Sequence, residues 1–598
     1  MTTAESHEQS SGRTDGSETN AEKRPRFWPV ILLLAAFWTL YHGLYWLDLS
    51  MGNRFLYRMA NYAALLLLFL VWWLTNRRIS RRDRWFAFGI VVAGAAVAGL
   101  LVDKTVGVFG LVLSGMPYVI TVWTLWWIVA QKLSVRTRRA GLAIAIALAW
   151  GFFTLRRFDG LNGAQESISN WRWEPTAEQI FLAEKPRPEQ PDSAAGSLQL
   201  LPGDWPEFRG PARNGQVAGV RIATDWSADP PKLLWQHRVG PGWSSMTIVD
   251  GRLFTQEQRG EQEAVVCYDA ESGKDVWAHE DLARFYDNLS GPGPRGTPTF
   301  ADGRLYSLGG TGRLNCLDAA SGKADWSRDI VADSGATLPQ WGFSNSPLVV
   351  GDLVVVFAGG PADKGLLAYR TGDGEPAWSV ATGKDSYSSP QLATIAGHAQ
   401  VLMLTGRSLA AVDAQHGGLV WEHEMGGGMF LPIDQPQAVG DGQFLIQAGA
   451  GLALVEVTAK VTAQATRDDN PSSTSQLWAS IALRPSLNDY VVAQQSIFGF
   501  DDGVFCCVDL RSGKRRWKQG RYGHGQVLLL PDQPLLVVLS ETGEAVLVAA
   551  NPEKHEELAR FQAIHGKTWN HPVLAHGRLY VRNGEEMACY DLKLLERR

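Results

Sequence analysis

One phrase, repeated through the last two thirds of the chain, constrains the fold more than any other feature. VCYDAESGKDVW at 266–277 returns as NCLDAASGKADW at 315–326. Its frame recurs at Asp413, Gly417 and Trp421 and at Asp509, Gly513 and Trp517, with a weaker copy at Arg370, Gly374 and Trp378. In all five, Gly stands four residues and Trp eight residues after the first position. The physical reading is a β-hairpin. Alternating apolar residues make one strand, Asp and Ser bond the turn backbone, Gly supplies a positive φ, and the next strand carries the Trp.

Trp235, Trp277, Trp326, Trp378, Trp421, Trp478 and Trp517 follow one another at intervals of 39 to 57 residues. Each interval has room for four short strands, the size of a propeller blade. Phe561 falls where the next Trp would stand, and the final strand, Met587–Asp591, lacks a Trp-bearing partner that Lys232–Trp235 can supply. An all-β eight-bladed β-propeller, closed from both ends of the domain, is therefore expected. Such closure leaves no exposed sheet edge and needs no disulfide. The unit around Trp478 is degenerate, with no Asp/Gly turn between Leu452 and Gln476 and a polar insertion near Asp468–Ser475.

The first quarter of the chain is of another kind. Residues 1–26 are polar and read as a disordered cytoplasmic tail. Residues 27–157 hold about five apolar segments, near 28–47, 56–74, 85–102, 106–130 and 140–155, each close to the length a helix needs to cross hydrocarbon. Lys23, Arg24 and Arg26, then Arg77–Arg84, then Lys132–Arg139 alternate with connections poor in positive charge. The positive-inside rule then puts the N-terminus in the cytoplasm, and an odd number of spans puts the later chain outside. A multi-pass protein of a bacterial inner membrane with a periplasmic propeller is expected. Ten of the 24 tryptophans lie in these segments and read as an interfacial belt. His42, the one ionisable group well inside a span, reads as reaching for the interface.

Residues 158–203 form a linker, proline-rich around Lys185–Pro191, with a short helix opened by a capping box of Thr176 and Gln179. The propeller occupies 204–598. A formal charge of -5, from 56 basic and 61 acidic residues, provides no field for nucleic acid phosphates. Five cysteines, none at zinc-ligand spacing, make neither a disulfide scaffold nor a metal site.

The repeated DxxSGKxxW frame resembles the tryptophan-docking repeat of quinoprotein-type propellers. That repeat is shared by alcohol dehydrogenases that bind pyrroloquinoline quinone (PQQ) and by non-catalytic outer-membrane assembly lipoproteins. DWPEFRGPARNG at 204–215 is similar to the opening segment of bacterial PQQ-binding-like β-propeller repeat proteins. The resemblance covers 204–598 and implies that Trp277, Trp326, Trp378, Trp421 and Trp517 dock on neighbouring blades.

In a propeller, the loops before the innermost strands converge on one channel mouth. Here these are Trp243–Ser245, Arg295–Thr297, Trp341–Asn345, Tyr387–Ser389, Met429–Pro432, Arg484–Pro485, Tyr522–His524 and Trp569–His571. Trp243, Arg295, Trp341, Asn345, Tyr387, Arg484, His524, Asn570 and His571 are the candidate ligand-binding residues. One reading is a planar anionic ligand stacked on the aromatics, with its carboxylates on Arg295 and Arg484. The other, favoured, is that the small and polar groups satisfy turns while the aromatics plug the channel or form a protein-binding surface. Asp385, Asp434 and Asp489 lie near the mouth without a distinctive motif, and no catalytic residue is assigned. Cys506 and Cys507 are neighbours on a strand, pointing to opposite faces, and read like Cys267, Cys316 and Cys589 as small core residues.

The function expected is that of a membrane-anchored extracytoplasmic binding or assembly module, non-catalytic, meeting the lipid bilayer and a protein or envelope component. The alternative, implied by a resemblance in plan to the membrane glucose dehydrogenases, is a PQQ- and calcium-dependent dehydrogenase oxidising an alcohol or a sugar and passing electrons to ubiquinone.

Overall fold

The computed structural model describes residues 26–47, 49, 51–184, 196–426, 431–440, 442–458 and 473–595. The expected tail (save Arg26), the proline-rich stretch at 185–191, the loop residues Met429 and Phe430, and most of the insertion near Asp468 lie outside the described residues. The chain divides into two units, Met1–Arg157 and Phe158–Arg598.

Among the described residues, the first unit holds five α-helices: α1 (Trp28–Gly43), α2 (Met51–Thr75), α3 (Arg81–Leu101), α4 (Gly107–Val129) and α5 (Val135–Thr154). Three of them, α2 to α4, are long and apolar enough to cross a membrane. The sequence reading of about five spans is loose for a physical reason. α1 has only 16 residues, and Arg136, Arg138 and Arg139 shorten the apolar run of α5. Asp83, in the first turn of α3, ion-pairs with Arg138 (3.0 Å) and Arg139 (2.7 Å) of α5. Ser80 caps that turn by accepting the Asp83 N–H. Trp28, Trp46 and Trp85 are exposed, as belt residues are, but Trp73, Trp123, Trp127 and Trp150 are at most 4% exposed. Trp73 meets Trp123 edge-on at 4.5 Å inside the bundle. The belt reading is corrected for these four, because each lies on the inward face of its own helix, α2, α4 or α5. His42 is exposed and stacks on Trp38.

The second unit contains eight four-stranded antiparallel sheets. Blade 1 comprises Thr247–Val249, Arg252–Arg259, Gln262–Asp269 and Asp275–Leu282. Blades 2 to 7 span 299–329, 348–380, 391–424, 437–480, 491–521 and 526–562. Blade 8 takes three strands from 573–591 and its outer strand, Lys232–Arg238, from the start of the domain. That shared sheet closes the propeller. The core lies between blades, as where Tyr306 and Leu314 of blade 2 pack with Val354 and Tyr369 of blade 3.

Every blade has a register shift between its third and outer strands, just before the repeat Asp or its counterpart. The bulge turns the Trp toward the next blade. There its ring lies under the turn glycine, where a side chain would collide: a Cβ at Gly322 would stand 2.5 Å from Trp277, and one at Gly374 2.6 Å from Trp326. The indole N–H of Trp235, Trp277, Trp326, Trp478 and Trp517 donates to a backbone carbonyl of the following blade at 2.9 to 3.2 Å. Trp378 lies under Gly417 in the same way. Trp421 differs: its N–H donates to Gln400 of its own blade (2.9 Å), because no Asp/Gly turn faces it in blade 5. Blade 7 also departs from expectation. Phe561 pairs with Ala545, so Ala559, opposite Leu547, holds the Trp position, and Phe561 instead meets Tyr590 of blade 8. Cys267, Cys316, Cys507 and Cys589 stand directly across from Trp277, Trp326, Trp517 and Trp235, where only a small side chain leaves room for the indole.

The opening segment 204–217 crosses the inner strands. Trp205 bridges Ile248 of blade 1, the Pro206 carbonyl accepts from Phe300 of blade 2, and Val217 donates to Leu529 of blade 7. Arg213 reaches the carbonyls of Ser346 and Pro347.

Candidate functional site

The loops that precede the innermost strands bring aromatic and charged groups to one mouth. Trp243 and Trp569, from the loops before blades 1 and 8, meet at 5.0 Å with planes tilted by 36°. Lys567 Nζ lies 5.0 Å from the first ring and 4.4 Å from the second, a cation held against two π-faces. Burial pulls this ammonium down to about 8, although Glu541 and Asp287 favour its charge. Trp569 Nε1–H donates to Glu541 (2.9 Å), which also accepts the backbone N–H of His524 (3.2 Å). Trp243 Nε1–H donates to the Ser290 carbonyl (3.2 Å).

Ser290 leads to the second cluster. Its hydroxyl accepts from Arg295 (2.6 Å), whose guanidinium also bonds Asp287 and the Gly293 carbonyl and lies over Phe285. Burial pulls Arg295 down to about 10. Trp341 faces Tyr387 at 5.1 Å. With Gln340 and residues 286–289, Trp341 walls a cavity of about 450 Å³. Trp243, Arg295, Trp341 and Tyr387 are thus brought around one loop, Asp287–Ser290.

The other candidates are engaged elsewhere. Arg484 is paired with Asp501 (2.6 Å) and Asp502 (2.9 Å). Both arginines thus already meet carboxylates that the chain supplies itself. Asn345 brackets the backbone of Phe357, donating at 2.9 Å and accepting at 3.1 Å, and Asn570 donates to the Gly242 and Ser244 carbonyls. Both amides are struts for the loops. His571 lies 3.0 Å from Asp489 and edge-on to Phe208 of the opening segment. Asp489 also receives Arg209 at 3.0 Å, so its carboxyl is held below the usual range, whereas burial and the Asp489 charge push Asp434 far above it.

Lys567, Glu541 and Asp287 are not among the residues expected from the sequence, because none stands immediately before an inner strand. Glu541 lies in the turn between the second and third strands of blade 7. In an antiparallel sheet that turn opens on the same face as the start of the first strand, so alternation alone was a usable signal.

A hairpin of Arg156–Leu161 and Ser167–Trp171 lies over this face. Leu161 donates its N–H to the Leu289 carbonyl (2.9 Å), the Leu161 carbonyl accepts from Lys567 Nζ (3.1 Å), and the Gly163 N–H donates to Glu541. Helix α6 (Ala177–Glu184) follows it, opened by reciprocal bonds between Thr176 and Gln179. Glu178 of this helix accepts from Arg284 (2.8 Å) and from the Gly260 N–H (2.9 Å).

Residues 261–519 match the PQQ_2 family model, described as outer membrane protein assembly factor BamB. That stretch of the propeller carries the PQQ-like repeat. Quinohemoprotein alcohol dehydrogenase ADH-IIG of Pseudomonas putida is 24% identical over 233 residues, a match covering 37% of this chain and 31% of that enzyme's length. Among solved structures, BamB from Moraxella catarrhalis aligns with a TM-score of 0.43 and 14% identity over 60% of this chain and 100% of that one. ADHIIG from Pseudomonas putida HK5 aligns with 0.40 and 14%, over 66% and 81%. The quinohemoprotein alcohol dehydrogenase of Comamonas testosteroni aligns with 0.37 and 13%, over 70% and 84%.

A PQQ-like cofactor needs a flat slot, and its calcium an oxygen cage. In this PQQ-like propeller, Trp243 and Trp569 touch each other and Lys567 fills the space against both. Among the described residues, no group of three or more His, Cys, Asp and Glu side chains is placed to hold a metal ion. Cys506 and Cys507 are separate buried thiols, and burial pushes Cys507 up to about 11. The residues at the mouth do not fit the cofactor in this arrangement.

Proposed function

We propose that this protein is a membrane-anchored, extracytoplasmic binding or assembly module without catalytic chemistry. In this reading residues 27–157 anchor it in the bacterial inner membrane with the N-terminus in the cytoplasm. Residues 158–203 link, and 204–598 present a periplasmic propeller face to a protein or envelope component. The observation that carries the reading is the self-sufficiency of the mouth. Arg295 is answered by Asp287, Arg484 by Asp501 and Asp502, and Lys567 by two indoles and the Leu161 carbonyl. What remains open to a partner is an apolar and aromatic rim that includes Tyr286, Leu289 and Leu338, each at least 39% exposed.

A second reading, a PQQ- and calcium-dependent dehydrogenase passing electrons to ubiquinone, is favoured by the likeness to a quinohemoprotein alcohol dehydrogenase. Adding PQQ and calcium to the purified protein separates the two. The module reading expects no saturable cofactor absorbance and no dye reduction with alcohols or sugars. Reconstitution with turnover would overturn it.

A further inference from the structure

We propose that the groove between the Asp287–Ser290 loop and the Glu541/Lys567 edge is a main-chain binding site for an extended peptide. The chain's own Asp159–Gly163 segment holds this site in cis, and a partner's segment binds by displacing it. This rests on the binding-module reading and names the chemistry of its partner.

The contacts are of the kind that recognise backbone. The groove receives one N–H at the Leu289 carbonyl and another at Glu541, and it returns a donor, Lys567 Nζ, to the Leu161 carbonyl. Recognition through main-chain groups takes any segment of the right shape, with specificity left to neighbouring pockets. Shape is set by two glycines. A Cβ at Gly160 (φ 110°) would stand 2.6 Å from the Leu289 carbonyl oxygen, and one at Gly163 2.0 Å from the His524 ring and 2.9 Å from Glu541. A competing segment therefore also needs glycine at these two approaches.

The hold is exchangeable. Of residues 158–171 only Gly160 and Gly163 are fully buried, and Phe158, Leu161, Ile168 and Trp171 are half-buried. The bonds at Leu161 and Gly163 are each worth about 1 kcal/mol net, and the tether gives the segment an effective concentration on the order of millimolar. A partner segment with additional contacts on the exposed Tyr286 and the half-buried Trp341 beside it competes on favourable terms, and its binding uncovers Lys567, Trp243 and Trp569.

The test uses the full chain in detergent and a fluorescent peptide, FDGLNGAQES, copied from residues 158–167. In Gly163→Val the cis segment is expelled. That variant is expected to bind the peptide at least tenfold more tightly than wild type, while a peptide with valine at the second glycine does not bind. Acetylation of Lys567, followed by mass spectrometry, is expected to rise severalfold in the variant and to fall again when peptide is added. Equal Lys567 labelling in both proteins overturns the proposal. So does a variant with exposed Lys567 that ignores the peptide, since the groove then recognises something else. If Gly163→Val does not fold, Glu541→Gln keeps the shape and weakens one anchor; unchanged Lys567 labelling in that variant overturns the proposal equally. PQQ-dependent turnover would sink the module reading while leaving the labelling result to stand or fall by itself.

Discussion

Gly322 shows how much one residue carries in this design. It sits at φ 72° with the Trp277 ring where a Cβ would go, so both backbone strain and collision oppose any side chain. Gly322→Ala is expected to cost about 2 to 4 kcal/mol in urea unfolding. Gly418→Ala, with no heavy atom within 4 Å of the added methyl, should stay within about 0.5 kcal/mol. Glu263 of blade 1 is a different case. Burial and Asp281 raise its carboxyl to about 7, against the N–H groups of Gly310 and Thr311. The folded state binds the extra proton between about pH 4.5 and 7, so the stability this group supplies is full below about 4.5 and lost as pH rises through 7. Glu263→Gln is expected to flatten that dependence and raise stability at pH 8 by about 3 kcal/mol or less, read from melting curves across pH 4 to 8. The turn glycines were legible in the sequence because they repeat. Glu263, Lys567 and Glu541 were not, because each acquires its role from a neighbour distant along the chain.

The outer strand Lys232–Arg238 decides whether the last blade exists. Trp235 is 8% exposed, lies against Gly273 of blade 1 and donates to the Ala270 carbonyl. Trp235→Ala is expected to cost about 3 to 5 kcal/mol, seen as a lower midpoint for the whole domain rather than a separate early transition. Helix α6 is a smaller lever. Removing its capping hydroxyl in Thr176→Ala should cost about 1 kcal/mol locally and show as faster proteolysis near Thr176 with the propeller midpoint unchanged. At this scale the sequence was a good guide to which blades exist, because hairpin and Trp spacing are local. It misplaced Phe561, because blade 7 has no Asp/Gly turn to fix where its outer strand begins, and Ala559 rather than Phe561 stands opposite Leu547. It also missed the hairpin at 156–171, whose docking depends on glycine contacts rather than on an apolar pattern.

The whole molecule joins a helical unit to a β unit, and its proposed topology is open to a direct test. All five native cysteines are buried, so an introduced thiol reports against little background. In intact cells a membrane-impermeant maleimide is expected to label Ala381→Cys, just after the last strand of blade 3, whereas Arg77→Cys, between α2 and α3, is expected to react only after lysis. The opposite order would refute the orientation. Composition and loop charges made the two-part plan readable, while the number of spanning helices depended on where Arg136, Arg138 and Arg139 cut the apolar run.

Gln236 and Glu586, hydrogen-bonded across the closing sheet, are 350 positions apart. At synthesis rates of about 5 to 20 residues per second, the early strand waits on the order of tens of seconds for its mate. During biogenesis the half-made domain therefore carries a raw, pairing-competent flank, and a ribosome that stops short of the last strand releases a substrate for proteases rather than a partly useful product.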